Sequence, residues 1–294
     1  MRQHDRQRLR QLRLNLTEPM AELFGSDAFS PPEIAERIER IGVKKARLPL
    51  LATAMLGVLA GAFIGLGAMF ATVVWSDANL GYAAGRVLGG VVFSLGLLLV
   101  VVAGAELFTG NNLLVMAWAD RRITLRELLR NWIVVLLANA AGAAGLAVLV
   151  WLSGHPAGAN GAIGAKYAAL AAAKCQLSTA TAFWSGVLCN VLVCLAVWMA
   201  SAGRSVVDKA VAIVFPVSAF VACGFEHSIA NFYVLTLGLL VRGPESSELA
   251  AAITLSGALH NLVPVLLGNL LGGSGFVALV YHVIYRRSLP SERK

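Results

Sequence analysis

Two stretches decide the fold of this chain: Gly104-Ala105-Glu106-Leu107-Phe108-Thr109-Gly110-Asn111-Asn112 and Cys223-Gly224-Phe225-Glu226-His227-Ser228-Ile229-Ala230-Asn231. Each lies inside a long apolar segment, yet each carries a carboxylate, a helix-loosening glycine and side chains that form hydrogen bonds. Ionisable groups are costly at the centre of a bilayer and by default indicate a pathway for solutes. Interrupted spans at corresponding places in two halves of a chain are typical of a transport site.

The composition is that of a protein that crosses a membrane several times. Of its 294 residues, 58% are hydrophobic and only 14% are charged, whereas soluble domains average about 25% charged residues. The net charge is +8, but ten of the 24 basic residues precede Leu48 and most others flank apolar segments. This distribution is a topology signal and not a nucleic-acid groove. We therefore expect a lipid bilayer, and no nucleic acid, as a partner.

The four cysteines (Cys175, Cys189, Cys194 and Cys223) form no C-x-x-C pair and no zinc-ligand spacing. We expect no metal, no cofactor and no enzymatic activity. The absence of a phosphate-binding G-x-x-x-x-G-K-[ST] motif also argues against an ATP-driven pump.

Six apolar segments are each long enough for the roughly 20 residues that a spanning helix needs. The second and fifth contain the two interruptions, so each is predicted to be two half-helices joined by a bend. The segments are Leu48–Trp75, Val87–Ala119, Trp132–Leu152, Phe183–Ala202, Ala210–Val241 and Ile253–Tyr285. The expected fold is an all-α membrane protein of six transmembrane helices.

The loops that are rich in Arg and Lys predict that both termini are cytoplasmic. These basic regions are the N-terminal arm, Asp120–Arg130, Arg204–Lys209 and Arg286–Lys294, whereas Ser76–Gly85, Ser153–Ala182 and Arg242–Leu249 are poorer in basic residues. The chain divides accordingly into a cytoplasmic arm (1–47), a transmembrane pore domain (48–285) and a cytoplasmic tail (286–294). We expect it in the cytoplasmic membrane of a bacterium.

An internal duplication is visible in the third and sixth spans, which both carry an Asn-x-x-Gly step, Asn139 to Gly142 and Asn269 to Gly272. Three spans in each half place the halves in opposite orientations, which predicts two inverted repeats. Before the first span, Ser30-Pro31-Pro32-Glu33 predicts a helix start. That amphipathic helix is either a surface helix at the membrane interface or a gate for a pore.

Four motifs in this order resemble the formate/nitrite transporter family, and the resemblance extends from about Phe29 to Tyr285. They are GAELFTG at Gly104–Gly110, CNVLVCLAVWMA at Cys189–Ala200, GFEHSIAN at Gly224–Asn231 and NLVPVLLGNLLGG at Asn261–Gly273. The resemblance implies an aquaporin-like protomer, a pentamer with one pore in each protomer, and conduction of small monovalent anions of weak acids.

The resemblance also implies roles for individual residues. His227 matches the central histidine of the family, with Glu226 before it and Asn231 after it. Thr109 matches the threonine of the first interruption, Asn190 the asparagine of the fourth span and Lys174 the lysine of the vestibule. The apolar constrictions on either side of the histidine match Phe93, Leu97, Leu107, Phe108 and Phe220. Two features depart from the family pattern, namely His260 and the first 28 residues.

A physical argument from the residues leads to the same chemistry. Half-helix N-termini after Thr109 and after His227 would favour an anion near the bilayer centre, but apolar constrictions oppose a bare carboxylate by several kcal/mol. A carboxylic acid with a pKa of about 3.9 is neutral in roughly one molecule per thousand at pH 7. We therefore expect His227 to exchange a proton with the anion, Thr109 and Asn190 to orient either group, and Lys174 to attract anions.

Other interpretations stay open at this point. His227 could bond a neighbouring helix, Lys174 could be an ordinary loop residue, and the constriction residues could be ordinary packing. Glu106 and Glu226 are expected to be structural, accepting backbone N–H bonds at the bends.

The competing functions are a neutral-solute channel and a haem-binding membrane anchor. The first needs paired Asn-Pro-Ala caps that neither interruption has, and the second needs His227 with His260 or His282 as axial ligands. Formate is the expected substrate and nitrite the next, while channel flow and proton symport are not distinguished.

Overall fold

The computed structural model describes residues 28–243 and 248–287, and these residues are almost entirely helical. The N-terminal 27 residues and most of the predicted tail therefore lie outside the described residues. The helices are α1 Pro31–Ala46, α2 Leu50–Trp75, α3 Tyr82–Leu98, α4 Phe108–Asn111, α5 Val115–Ala119, α6 Leu125–Leu152, α7 Ala162–Cys175, α8 Thr179–Ala202, α9 Val206–Cys223, α10 Ser228–Val241, α11 Glu248–Ala252, α12 Leu255–Leu270 and α13 Val280–His282. Wider π-helical turns extend α3 over Leu99–Gly104 and α12 over Leu271–Leu279, and others follow α13 over Val283–Arg287.

Six helices in the described residues are long and apolar enough to cross a membrane, so the chain is a multi-pass membrane protein. They are Leu50–Trp75, Tyr82–Gly104, Leu125–Leu152, Thr179–Ala202, Val206–Cys223 and Leu255–Arg286. The second and fifth are interrupted where the sequence predicts, and α4 and α10 are the half-helices that follow the breaks.

Helix boundaries differ from the predicted ones where charged residues form the first turn. The third span begins at Leu125 because Thr124 and Glu127 form a reciprocal capping box. The fifth begins at Val206 for the same reason, with Ser205 and Asp208 as the pair. Charged capping residues lower the hydropathy of a first turn without ending the helix.

The structure has a helix in a segment that the sequence analysis treats as a loop. The segment Ser153–Ala182 contains α7, whose 14 residues include seven alanines. Alanine has the highest helix propensity, but a 14-residue helix is too short to span a bilayer. A search for spans therefore misses it, although it carries Lys174.

Close helix packing depends on glycine in both halves of the chain, and Gly142 and Gly272 are equivalent positions. A Cβ at Gly61 or Gly142 would overlap backbone of α6 or α2 respectively, and a Cβ at Gly268 or Gly272 would overlap backbone of α8. The α2–α6 and α8–α12 pairs are thus equivalent contacts in the two halves.

α1 begins at Pro31 with the predicted capping box of Ser30 and Glu33. The Ser30 backbone N–H donates to the Glu33 carboxylate at 2.8 Å, and this bond lowers the Glu33 pKa. Ile34 and Ile38 are buried in a cluster with Leu113 and Trp198. The helix is therefore docked against the transmembrane bundle.

Candidate functional site

The two interruptions place a carboxylate and the start of a half-helix at equivalent positions. The helix before the first break ends at Gly104, with φ +88°, and the one before the second ends at Cys223 and is followed by Gly224, with φ +77°. Left-handed φ values favour glycine. The following half-helices begin at Phe108 and Ser228. The sequence predicts that the first half-helix begins after Thr109. In the structure Thr109 lies within the first turn of that half-helix.

Glu226 accepts bonds from three side chains. Lys174 Nζ lies 2.7 Å from Glu226 Oε1, and Asn231 Nδ2 donates to Oε2 at 2.6 Å. Asn261 Nδ2 is 3.3 Å from the same Oε2, and its Oδ1 accepts from Asn231 at 2.8 Å. The Asn261 amide also donates to the Lys174 carbonyl at 3.2 Å.

Glu106 has an equivalent set of partners in the other half. Lys45 Nζ lies 3.1 Å from Glu106 Oε1, and Asn111 Nδ2 donates to Oε2 at 2.7 Å. Asn131 Oδ1 accepts from Asn111 at 2.9 Å, and Asn131 Nδ2 donates to the Lys45 carbonyl at 3.3 Å.

A second asparagine in each half ties the break to the neighbouring helices. Asn139 Nδ2 donates to the carbonyls of Glu106 at 2.8 Å and Gly57 at 2.7 Å, and its Oδ1 accepts from the Phe108 N–H at 2.8 Å. Asn269 makes the same three bonds to Glu226, Gly186 and Ser228. The two halves therefore share the same contacts at the break, in agreement with the inverted repeat that Asn139 and Asn269 predict.

The prediction that the two glutamates accept backbone N–H bonds was wrong. Their carboxylates accept from lysine and asparagine side chains, as described above. It is their own backbone N–H groups that reach neighbouring helices, Glu106 to the Leu56 carbonyl at 3.2 Å and Glu226 to Ser185 Oγ at 3.1 Å. The two glutamates are therefore bonded to neighbouring segments, but the donors to their carboxylates are side chains and not backbone N–H groups.

His227 lies between the two half-helix N-termini and is 3% exposed. Its Nδ1 accepts from the Ala230 backbone N–H at 3.1 Å, and its Nε2 is 3.1 Å from Thr109 Oγ1. Because Nδ1 accepts, the neutral ring carries its proton on Nε2 and donates to Thr109. Phe220 stacks on the imidazole with ring centroids 5.9 Å apart.

Two cavities approach this region. One, of about 260 Å³, is lined by Lys174, Glu226, His227, Phe93 and Phe220, and we call it the Lys174 cavity. The other, of about 490 Å³, is lined by Lys45, Glu106, Leu97 and Leu107, and we call it the Lys45 cavity. Phe220 and His227 both line the Lys174 cavity, and Thr109 connects the imidazole to the first interruption.

Three predicted residues, Thr109, Phe108 and Asn190, line neither of these two cavities. Phe108 is buried in the apolar core and does not line either of these cavities. Asn190 Nδ2 donates to the Thr109 carbonyl at 3.3 Å, to Asn112 Oδ1 at 2.7 Å and to the Asn269 carbonyl at 2.6 Å. Asn190 thus contacts the backbone of Thr109 and not the imidazole.

Neither His260 nor His282 lies beside His227 in the part of the chain that the structure describes. His260 Nε2 lies 3.0 Å from Thr179 Oγ1 on an exposed surface, and buried His282 lies beside Glu39. Neither shares a described contact with His227, so the arrangement offers no axial pair for a haem.

Comparison with known proteins places these features in a family. Residues 32–283 match the formate/nitrite transporter family. The chain belongs to that family. It is therefore a membrane transporter and not an enzyme.

Individual relatives cover nearly the whole chain. It is 40% identical over 273 residues to the formate channel FocA of Escherichia coli (strain K12), covering 89% of this chain and 96% of the relative. It is 38% identical over 266 residues to the formate channel BtFdhC of Bacillus thuringiensis, covering 88% and 97%.

The fold matches solved structures as well. A structure described as a pentameric formate channel with formate bound aligns with a TM-score of 0.74 at 36% identity, covering 80% of this chain and 97% of that one. An FNT family ion channel aligns with a TM-score of 0.75 at 29% identity, covering 85% and 97%.

Sequence reasoning missed Lys45 as a site residue. It lies among basic residues that were interpreted only as a topology signal, and its partner Glu106 is far along the chain. The detectable signal was the repeated Glu-x-x-x-x-Asn spacing, Glu106 to Asn111 and Glu226 to Asn231, which implies that a lysine partner in one half has an equivalent in the other.

Proposed function

We propose that this protein conducts small monovalent anions of weak acids across a bacterial cytoplasmic membrane, with formate as the main substrate and nitrite as the second. Formate channels of two bacteria are among its relatives. The observation that carries the proposal is the position of His227 on the wall of a cavity, bonded to Thr109 at the opposite break.

Half-helix N-termini supply the attraction for an anion. α4 and α10 begin at the two breaks, and each carries a partial positive charge at its N-terminus. Asn139 and Asn269 hold the first N–H group of each half-helix and so fix its direction. A small anion with two oxygen acceptors suits such a position.

A charged anion that passes the apolar side chains of the pore loses its hydration at a high cost in free energy. Proton exchange at His227 lowers this cost, because the neutral acid carries no charge. Imidazole is the side-chain type whose unperturbed pKa lies closest to neutral pH, which makes it the group at this junction best suited to proton exchange. Its Nε2–H donates to Thr109, which gives the proton a defined position at the junction of the two breaks. Asn190 positions Thr109 through its carbonyl. A proton from bulk water first adds to Nδ1, which gives up its bond from the Ala230 N–H, and the resulting imidazolium passes its Nε2 proton to the anion. The ring returns to the neutral form, and the neutral acid crosses and releases the proton to water beyond the constriction.

Orientation and assembly complete the proposal. The Lys45 cavity faces the cytoplasm, because α1 and the basic loop before α6 lie on that side, and both termini are cytoplasmic. The Lys174 cavity faces outward. Five copies form a ring with one pore each, by analogy with the pentameric relative. The exposed apolar residues on α3 and α9, such as Val87, Val91 and Phe215, supply surface for lipid and for neighbouring copies.

Uptake by proteoliposomes tests the proposal. The full chain should take up labelled formate, and labelled nitrite more slowly, in amounts that empty liposomes do not reach. Swelling in glycerol without anion uptake would instead support the neutral-solute channel, and a Soret absorbance band in the purified protein would support the haem anchor.

A further inference from the structure

Arg86 is a further basic residue that lines the Lys174 cavity. It lies in the first turns of α3, and its guanidinium donates from Nε to the Ala222 carbonyl at 2.9 Å and from Nη2 to the Val221 carbonyl at 3.0 Å. The guanidinium carbon lies 5.6 Å from the centre of the Trp75 ring. These contacts fix a cation at the end of α9 that precedes the second break.

The approach of Arg86 depends on Gly224. A Cβ at that position would lie 2.6 Å from Arg86 Nη2, and the backbone there has φ +77°. Glycine therefore permits both the left-handed turn and the nearby guanidinium. The break in the fifth span and the position of Arg86 are parts of one arrangement.

The charges that line the Lys174 cavity leave Arg86 uncompensated. Lys174 and Glu226 form an ion pair at 2.7 Å and cancel each other. Among the described residues that line the cavity, Arg86 is the remaining charged group, and none of the described carboxylates forms a salt bridge with it. The net positive charge of this cavity thus comes from Arg86 and not from Lys174.

The guanidinium also has donors to spare. An arginine carries five N–H groups, and the contacts above use Nε and Nη2. Within the described residues, Nη1 has no hydrogen-bond acceptor. Guanidinium groups match the two oxygens of a carboxylate or a similar planar anion.

We propose that Arg86 is an anion-capture site of the Lys174 cavity, which binds a small planar monovalent anion through its free N–H groups before the anion reaches His227. This inference rests on the proposed function and adds a binding site to it. Arg86 also caps the carbonyls at the end of α9, so the test must separate charge from structure.

The first test is formate influx in membrane vesicles of both orientations, at several formate concentrations and at low and high salt. Arg86→Gln should raise the half-saturating concentration about 3–10-fold from the Lys174 side and leave the maximal rate within about twofold. Arg86→Lys, which keeps the charge but not the two-donor geometry, should recover part of the loss. Added salt should raise the half-saturating concentration of the wild type and not that of Arg86→Gln, because screening acts on the charge.

Two further variants separate the alternatives. Lys166→Gln removes a nearby cation that lines a neighbouring groove and not the Lys174 cavity, so it should stay within about twofold of wild type. Ala173→Lys adds a cation from an exposed position on the same cavity wall, and in the Arg86→Gln background it should recover most of the lost apparent affinity. Rescue by a lysine that cannot cap α9 is the result that a purely structural role does not produce.

A third test uses only the wild-type protein and therefore does not depend on whether a variant folds. Phenylglyoxal should modify Arg86 more slowly in the presence of formate, as measured by mass spectrometry, while exposed Arg121 reacts at the same rate in both conditions. Equal labelling of Arg86 with and without formate, or an Arg86→Gln variant with wild-type half-saturation and salt dependence, overturns the inference. Absence of formate influx in the wild type would overturn the proposed function itself, and this inference with it.

Discussion

Lys174 Nζ lies 2.7 Å from Glu226 Oε1, and the two side chains are 17% and 6% exposed. Lys45 and Glu106 repeat the pair at 3.1 Å in the other half. Removing one partner of a buried pair leaves the other charge unpaired, at a cost of about 3–5 kcal/mol. Lys174→Met should therefore lower the melting temperature in detergent strongly, and Lys174→Met with Glu226→Gln should recover much of the loss.

The matched control is the exposed pair of Arg47 and Glu127, whose nitrogen and oxygen are 3.1 Å apart. Exposed ion pairs contribute little, so Arg47→Met should leave the melting temperature nearly unchanged. A double variant at Lys174 and Glu226 that melts below the single variant would contradict the pairing argument.

Glycine at the α2–α6 contact should be required for assembly. A Cβ at Gly142 would overlap the carbonyl oxygen of Val58, whereas a Cβ at Gly145 on the same helix would meet no atom within 4 Å. Gly142→Ala should reduce the yield of folded protein sharply, because backbone cannot move without separating the helices. Gly145→Ala should be neutral or slightly stabilising, by up to about 1 kcal/mol. Equal yields from the two variants, measured by size-exclusion chromatography, would contradict the packing described here.

Phe220 should limit the size of the substrate. Its ring meets Phe93 edge to face at 5.7 Å and stacks on His227 at 5.9 Å. Phe220→Ala should raise the uptake of propionate relative to formate about 3–10-fold and lower stability by about 3–5 kcal/mol. Phe215→Ala, on the same helix but 71% exposed, should leave the uptake ratio unchanged. An unchanged uptake ratio in Phe220→Ala would remove Phe220 from the constriction.

Glu39 should make the docking of α1 depend on pH. Its fully buried carboxylate lies 3.0 Å from Arg286 and 3.7 Å from Arg122, with His282 at 3.8 Å and Asp120 nearby. Burial, opposed by the two arginines, raises the Glu39 pKa from 4.5 to about 7. Because a raised carboxyl pKa makes the folded state bind a proton that the unfolded state releases, stability should fall between pH 4.5 and pH 7.

The loss in that window should be on the order of 1–3 kcal/mol. Glu39→Gln should flatten the melting temperature over the window, whereas Glu36→Gln, which removes an exposed carboxylate on the same helix, should keep the wild-type slope. A wild-type slope in Glu39→Gln would assign the dependence to another group.

The sequence predicts the membrane-spanning helices well because long apolar segments have few alternatives in a bilayer. The breaks at Glu106 and Glu226 can also be predicted from the sequence, because charged residues are rare within apolar membrane spans. The capped starts at Thr124 and Ser205 were misplaced because a hydropathy argument stops at charged residues.

The candidate site was only partly predictable. His227, Thr109 and Glu226 lie within the two interruptions and could be found from them. The Lys174–Glu226 pair joins residues on separate helices, and only the packing of α7 against α10 brings them together. Lys45 was missed because a lysine before the first span is equally suited to a topology signal. The roles of these residues in the pathway stay predictions.

The central claim is that His227 exchanges protons with the passing anion, and proton movement measured together with formate uptake tests it most directly. Proteoliposomes carrying an internal pH dye should acidify as wild-type protein takes up labelled formate, faster at lower external pH. His227→Phe should lose this pH-coupled uptake, whereas His260→Gln, an exposed histidine away from the two cavities, should keep it. Uptake by His227→Phe with the wild-type pH dependence and the wild-type ratio of protons to formate would contradict the account.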